Sequence, residues 1–167
     1  MAASHGDSVT GAMAVNAARG PGGAGIPGTI RVLLVDDHPV VREGVRAMLA
    51  AEPDIEVAGE AGSGDEAVAL ARAGSYDVIL MDLRMPGTDG VDAIGQILAG
   101  DPGARIVVLT TYETDADILR AVEAGAAGYL LKDAPRGEVA NAVRVASLSR
   151  YPAAPASTAR RMSASVS

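Results

Sequence analysis

The stretch Asp77-Val78-Ile79-Leu80-Met81-Asp82-Leu83-Arg84-Met85-Pro86-Gly87-Thr88-Asp89-Gly90 decides the fold. Four apolar residues, Val78–Met81, run without alternation into an acid, and a Pro-Gly turn follows. A strand that is apolar on both sides is covered on both faces, as in a parallel sheet held between helices. Asp89 stands where a helix cap stands, ahead of Val91, Ile94 and Leu98 at helical spacing, and Gly100 and Pro102 close that helix.

Working outward, the same strand-then-helix pattern repeats on either side. Strands are expected at Arg31–Val35, Glu56–Ala58, Val78–Met81, Arg105–Leu109 and Tyr129–Leu131. Val41, Val45, Met48 and Leu49 mark the first helix, with Pro53 just beyond it. Ser63 with Glu66 forms a capping box for the second, which Gly74 ends. Ile118 and Val122 mark the fourth, ended by Gly125, and Val139, Val143 and Ala146 mark the fifth. Strands alternating with helices imply right-handed crossovers in a parallel sheet. The fold class is therefore α/β: a doubly wound, five-stranded parallel sheet with helices on both faces. Because the second strand ends in Ala58-Gly59 with no polar group, it is placed at an edge, away from the site.

Three zones follow. Residues 1–29 are rich in Gly and Ala, have no period and read as a disordered extension, within which Met13 is a second candidate start. Residues 30–149 are the α/β domain. Residues 150–167 are Ser, Ala, Pro and Arg and read as a disordered tail. Of the 167 residues 49% are apolar, but with no Phe or Trp the core must be aliphatic. The net charge of −7 argues against a nucleic-acid clamp, since phosphate backbones select basic surfaces. The absence of cysteine excludes disulfides, thiolate metal sites and a cysteine nucleophile, which fits the cytoplasm. No apolar run approaches the roughly 18 residues of a membrane span, and the N-terminus lacks the pattern of a signal peptide.

In an open parallel sheet, ligands bind at the carboxyl ends of the strands. Here the first strand runs into Asp36 and Asp37, the third into Asp82, the fourth into Thr110 and the fifth into Lys132. Three carboxylates at close range need compensation. Lys132 supplies one charge. A divalent cation supplies more, and carboxylate oxygens with water suit Mg²⁺. An acidic cradle, a carboxylate nucleophile, a lysine and a hydroxyl together suit phosphoryl transfer. Thr110 is also an ordinary strand residue, Tyr129 an ordinary core aromatic, and His38 reads as a polar residue at the rim.

Val32-Leu33-Leu34-Val35-Asp36-Asp37-His38-Pro39, the Asp77–Gly90 stretch, Val108-Leu109-Thr110-Thr111 and Gly128-Tyr129-Leu130-Leu131-Lys132-Asp133 resemble the receiver domains of response regulators in two-component systems. The likeness spans about residues 30–148, is nearest the NarL/FixJ-type branch and implies the flavodoxin-like strand order 2-1-3-4-5. It implies that Asp82 accepts a phosphoryl group from the phosphohistidine of a sensor histidine kinase. It implies that Asp37 and Asp82 bind Mg²⁺ (or Mn²⁺) directly with the backbone carbonyl of Arg84, and that Asp36 helps through water. Lys132 would contact a phosphoryl oxygen, Thr110 would hydrogen-bond the phosphoryl group, and Tyr129 would change rotamer as a switch. Asp133 after the lysine, where the family often has a proline, gives no reason to expect a cis bond. That branch normally continues into a helix-turn-helix effector, for which residues 150–167 are too few. DNA binding by this chain alone is therefore not expected, and a homodimer or another protein contact is the expected output.

Other functions weigh less. A phosphatase with an aspartate nucleophile typically carries a second Asp two residues on, where this chain has Arg84. A pseudo-receiver usually lacks an acid or the lysine, and all are present here. The remnant of a truncated DNA-binding regulator stays as a further alternative. The glycines of Gly59–Gly64 are followed by no Lys-Ser or Lys-Thr, which rules out a P-loop.

Overall fold

A computed structural model of the chain describes residues 28–111 and 114–148. The tail expected over residues 150–167, and the expected N-terminal extension up to residue 27, lie outside the described residues. Five strands and five helices alternate: β1 (Ile30–Val35), α1 (Pro39–Ala50), β2 (Ile55–Ala61), α2 (Gly64–Ala73), β3 (Val78–Met81), α3 (Gly90–Gly100), β4 (Ile106–Thr110), α4 (Asp115–Ala124), β5 (Gly128–Leu131) and α5 (Arg136–Leu148). The strands form one parallel sheet in the order β2-β1-β3-β4-β5, as expected.

Alternation along the apolar strands builds two cores, one on each face. Leu33, Val35, Ile79, Met81, Ile106 and Val108 pack with residues of α2 and α3 and with Ala121 of α4. Val32, Leu34, Val78, Leu80, Val107 and Leu109 point the other way, to Val45 and Leu49 of α1 and to Val139 and Val143 of α5. Side chains two residues apart share a face, so an all-apolar strand serves both cores.

The helix signals act largely as expected. Ser63 accepts a hydrogen bond from the Glu66 backbone, and the Glu66 carboxylate reaches back to the Gly62 N–H at 2.9 Å, one residue before the cap. Asp89 caps α3 by accepting from the Asp92 N–H at 2.9 Å. Gly125 ends α4 in the left-handed region, at φ 112°, where glycine carries no steric penalty.

Two elements depart from the sequence reading. β2 does not stop at Ala58. A bulge lets Val57 pair with Val32 and Gly59 with Leu33, and pairing continues to Ala61. Gly59 interrupts the apolar run not as a terminator but because the Tyr76 phenol lies against it; a Cβ there would sit 2.6 Å from the hydroxyl oxygen. β5 is not covered on both faces. Leu130 is buried, but Tyr129 is 54% and Leu131 47% exposed. The strand lies at the end of the sheet, and Ala121 is the only fully buried residue of α4, with Ala124 packed partly buried beside it.

Candidate phosphoryl-transfer site

The sheet ladder extends one residue past several strands, and those residues carry the charges. The Asp36 N–H donates to the Ala61 carbonyl at 3.0 Å, the Asp82 N–H to Val35 at 2.9 Å and the Lys132 N–H to Thr110 at 2.7 Å. Each functional side chain is therefore fixed by a neighbouring strand as well as by its own. Gly90 adds a further constraint, because the first turn of α3 lies against the Asp82 backbone. A Cβ at Gly90 would press on the Asp82 carbonyl oxygen and come within 2.6 Å of Leu83 Cα.

Lys132 Nζ lies 2.7 Å from Asp36 Oδ2 and 3.1 Å from Asp82 Oδ2, with all three side chains almost wholly buried. The second Asp82 oxygen accepts the Arg84 N–H at 3.2 Å. Asp36 Oδ1 accepts the His38 N–H at 2.8 Å, and the Arg42 guanidinium holds the Asp36 carbonyl at 2.7 Å. Asp36, Asp37, His38 and Asp82 each offer a ligand atom, all within 4.8 Å of one another. Burial pushes the Asp82 carboxyl above its ordinary value and the nearby Asp36 adds to this, while Lys132 opposes it. Burial works against the Lys132 ammonium, but hydrogen bonds to Asp36 and Asp82 outweigh it and the net shift is upward. Three carboxylates face one ammonium, so the donors and the uncompensated charge suit a hard divalent cation.

Thr110 ends β4 at the same edge. Its hydroxyl oxygen is buried and has no hydrogen-bond partner among the described residues. Of the expected residues, Tyr129 stands apart from the charged cluster, while Arg84 meets it through its backbone N–H. Tyr129 pairs with Val108 in the sheet and lies half-exposed on β5. The Arg84 side chain turns away from Asp82 and donates to Asp117 Oδ2 at 2.9 Å. That contact was missed in the sequence reading, although Thr114-Asp115-Ala116-Asp117 carries a signal for half of it. Thr114 and Asp117 form a reciprocal capping box at the start of α4, with Asp where Glu is more familiar.

The family model described as the response regulator receiver domain matches residues 32–144. The chain belongs to that family. Receiver domains of this kind are signalling modules of two-component systems, not conventional enzymes, and they interact with sensor histidine kinases. The receiver is 52% identical over 118 residues to the transcriptional regulatory protein LiaR of Bacillus subtilis (strain 168), a match covering 71% of this chain and 56% of LiaR. It is 46% identical over 117 residues to the transcriptional regulatory protein YxjL of the same strain, covering 70% of this chain and 54% of YxjL. The chain thus spans about half the length of the curated relatives it matches. Among solved structures, the NarL signal receiver domain of Mycobacterium tuberculosis superposes with a TM-score of 0.71 at 37% identity, covering 74% of this chain and 100% of that one. ChrA, a response regulator of a heme-sensing two-component system, superposes at 0.64 and 44% identity, covering 84% of this chain and 67% of ChrA. Among the described residues, no helix is long and apolar enough to cross a membrane.

Proposed function

We propose that this receiver accepts a phosphoryl group on Asp82 from the phosphohistidine of a sensor histidine kinase in the cytoplasm, and switches conformation to control an output. The observation that carries this reading is the Asp82 carboxylate itself. It is buried at the end of β3, held by Lys132 and faced by two further carboxylates. An Asp82 oxygen forms the bond to phosphorus as the bond to the histidine nitrogen breaks, and the imidazole departs with the electron pair. Lys132 neutralises charge on the transferred group, and the unpartnered Thr110 hydroxyl donates to one of its oxygens. Asp37, Asp82 and the Arg84 carbonyl, with Asp36 through water, are the residues that would hold Mg²⁺ or Mn²⁺. The cation supplies neutralisation of the phosphoryl oxygens when bound.

The output surface we assign is the face of α4, β5 and α5. Leu119, Val122, Tyr129, Leu131, Val145 and Leu148 are its exposed large apolar residues. Thr110 pairs with Leu131 and Tyr129 with Val108 across β4 and β5, and these two are the residues we assign to link that face to Asp82. In full-length relatives named as transcriptional regulatory proteins the output is transcription; for residues 1–167 by themselves we assign a protein contact, a homodimer among the choices.

The test is incubation with acetyl phosphate and Mg²⁺, followed by borohydride trapping and mapping. A single adduct at Asp82 is expected, lost in Asp82→Asn and in excess EDTA. Label retained in Asp82→Asn overturns the acceptor assignment. Label undiminished by EDTA overturns the cation cradle. A protein that takes no label from any phosphodonor is an interaction module instead.

A further inference from the structure

His38 reads in the sequence as a rim residue, and the structure places it at the rim with its ring against the acidic cluster. Its Nδ1 lies 2.9 Å from Asp37 Oδ1 and 3.3 Å from Asp36 Oδ1. Asp37 Oδ1 is buried, yet it accepts no hydrogen bond from the ring at that distance, nor from any other described residue. Nδ1 instead shares a hydrogen bond with Asp36 Oδ1, whose proton a bound cation would replace, and Asp36, Asp37, His38 and Asp82 offer ligand atoms within 4.8 Å of one another. Ligands at right angles around a cation with bonds of about 2.1 Å stand about 3 Å apart, close to the Nδ1–Asp37 Oδ1 separation of 2.9 Å. The ring is also dispensable for the fold locally. His38 is the N-cap of α1 but makes no side-chain capping bond, and 63% of its side chain is exposed.

We propose that His38 is a ligand of the divalent cation in this cluster, through Nδ1, and that it sets which cation the receiver prefers. The proposal rests on the cation cradle assigned above and goes beyond it by naming a nitrogen donor in a site otherwise made of oxygens. Mg²⁺ gains little from imidazole, because it favours hard oxygen ligands. Borderline first-row ions gain much more, in the order Mn²⁺, Co²⁺, Ni²⁺. The site is thus a mixed carboxylate–imidazole centre, which takes a borderline transition ion more tightly than Mg²⁺ when both are present.

Isothermal titration of Mg²⁺, Mn²⁺, Co²⁺ and Ni²⁺ into the full chain tests this. His5 is the only other histidine and is replaced by Ala throughout. His38→Ala is expected to weaken Ni²⁺ by at least about tenfold, Co²⁺ and Mn²⁺ by progressively less, and Mg²⁺ by less than about twofold. His38→Gln, which keeps polarity but not the nitrogen donor, is expected to follow His38→Ala. Cu²⁺ bound to the protein should show nitrogen splitting in its electron paramagnetic resonance spectrum, lost in both variants. Equal weakening of all four ions, or nitrogen splitting retained without His38, overturns the ligand assignment. Asp37→Ala separates this failure from that of the cradle. If it weakens every ion while His38→Ala discriminates none, only the His38 assignment falls. If it changes no affinity, the cation does not sit in this cluster, and both readings fall.

Discussion

The Thr110 hydroxyl is buried at the end of β4 with nothing described to bond to, a cost the folded protein carries at a single residue. Thr110→Val keeps the shape and removes that oxygen. It is expected to raise unfolding stability by about 1 kcal/mol in urea titrations, and to leave Asp82 labelling intact while removing the resonance shifts that phosphorylation sends toward β5. A loss of stability would mean that the hydroxyl has a partner after all. Asp82 behaves differently because its cost depends on pH. Its folded pKa is raised, burial being the main cause, so the folded state holds its proton more tightly than the unfolded chain does. Below the unfolded value both states are protonated and the group contributes nothing. As pH rises through the unfolded and then the folded value, stability falls, because the folded state must accommodate the charge. Asp82→Asn does not titrate. Its stability relative to the wild type should therefore climb between strongly acidic and neutral pH, as measured by chemical denaturation across that range. A flat difference would show that Lys132 fully offsets the burial of Asp82.

At the scale of elements, the site depends on how closely α3 approaches β3. Gly90 opens α3 against the Asp82 and Leu83 backbone, where the obstacle to a Cβ cannot move aside. Gly90→Ala is expected to lower stability by about 1–3 kcal/mol through overpacking, and to slow labelling by displacing Asp82. Gly59→Ala meets only the Tyr76 side chain rather than backbone, and should cost less. Parallel denaturation curves compare the two; equal costs would show that the α3 turn yields as easily as a phenol. α4 is the contrasting element. Its N-terminus is held by the Thr114–Asp117 box and by Arg84 reaching from the β3–α3 loop, while its body adds little to the core. A helix tied at its cap and lightly packed along its length is well placed to respond to events at Asp82.

For the whole molecule, one parallel sheet anchors all five described helices, and the net charge of the chain is −7. A helix that reads DNA needs a basic surface and freedom to enter a groove. The 167-residue chain is accordingly expected to form no discrete complex with genomic fragments in a mobility-shift assay at physiological salt with competitor DNA. One sequence-selective band would overturn the assignment of a protein-contact output. The fold class, the strand order and the residues Asp36, Asp37, Asp82, Thr110 and Lys132 were all legible in the sequence. Apolar runs, caps and turn residues act over a few neighbours, and the end of an apolar strand is a one-dimensional signal. The extent of β2, the exposed face of β5, the turn of Arg84 toward Asp117 and the place of His38 beside Asp37 were not legible. The ring of Tyr76 that passes over Gly59, and the partner that Arg84 finds 33 residues away, come from distant parts of the chain. Local sequence determines where a strand can end and which side chain it delivers. Only the crossovers, which bring remote segments to one edge of the sheet, decide which atoms that side chain meets.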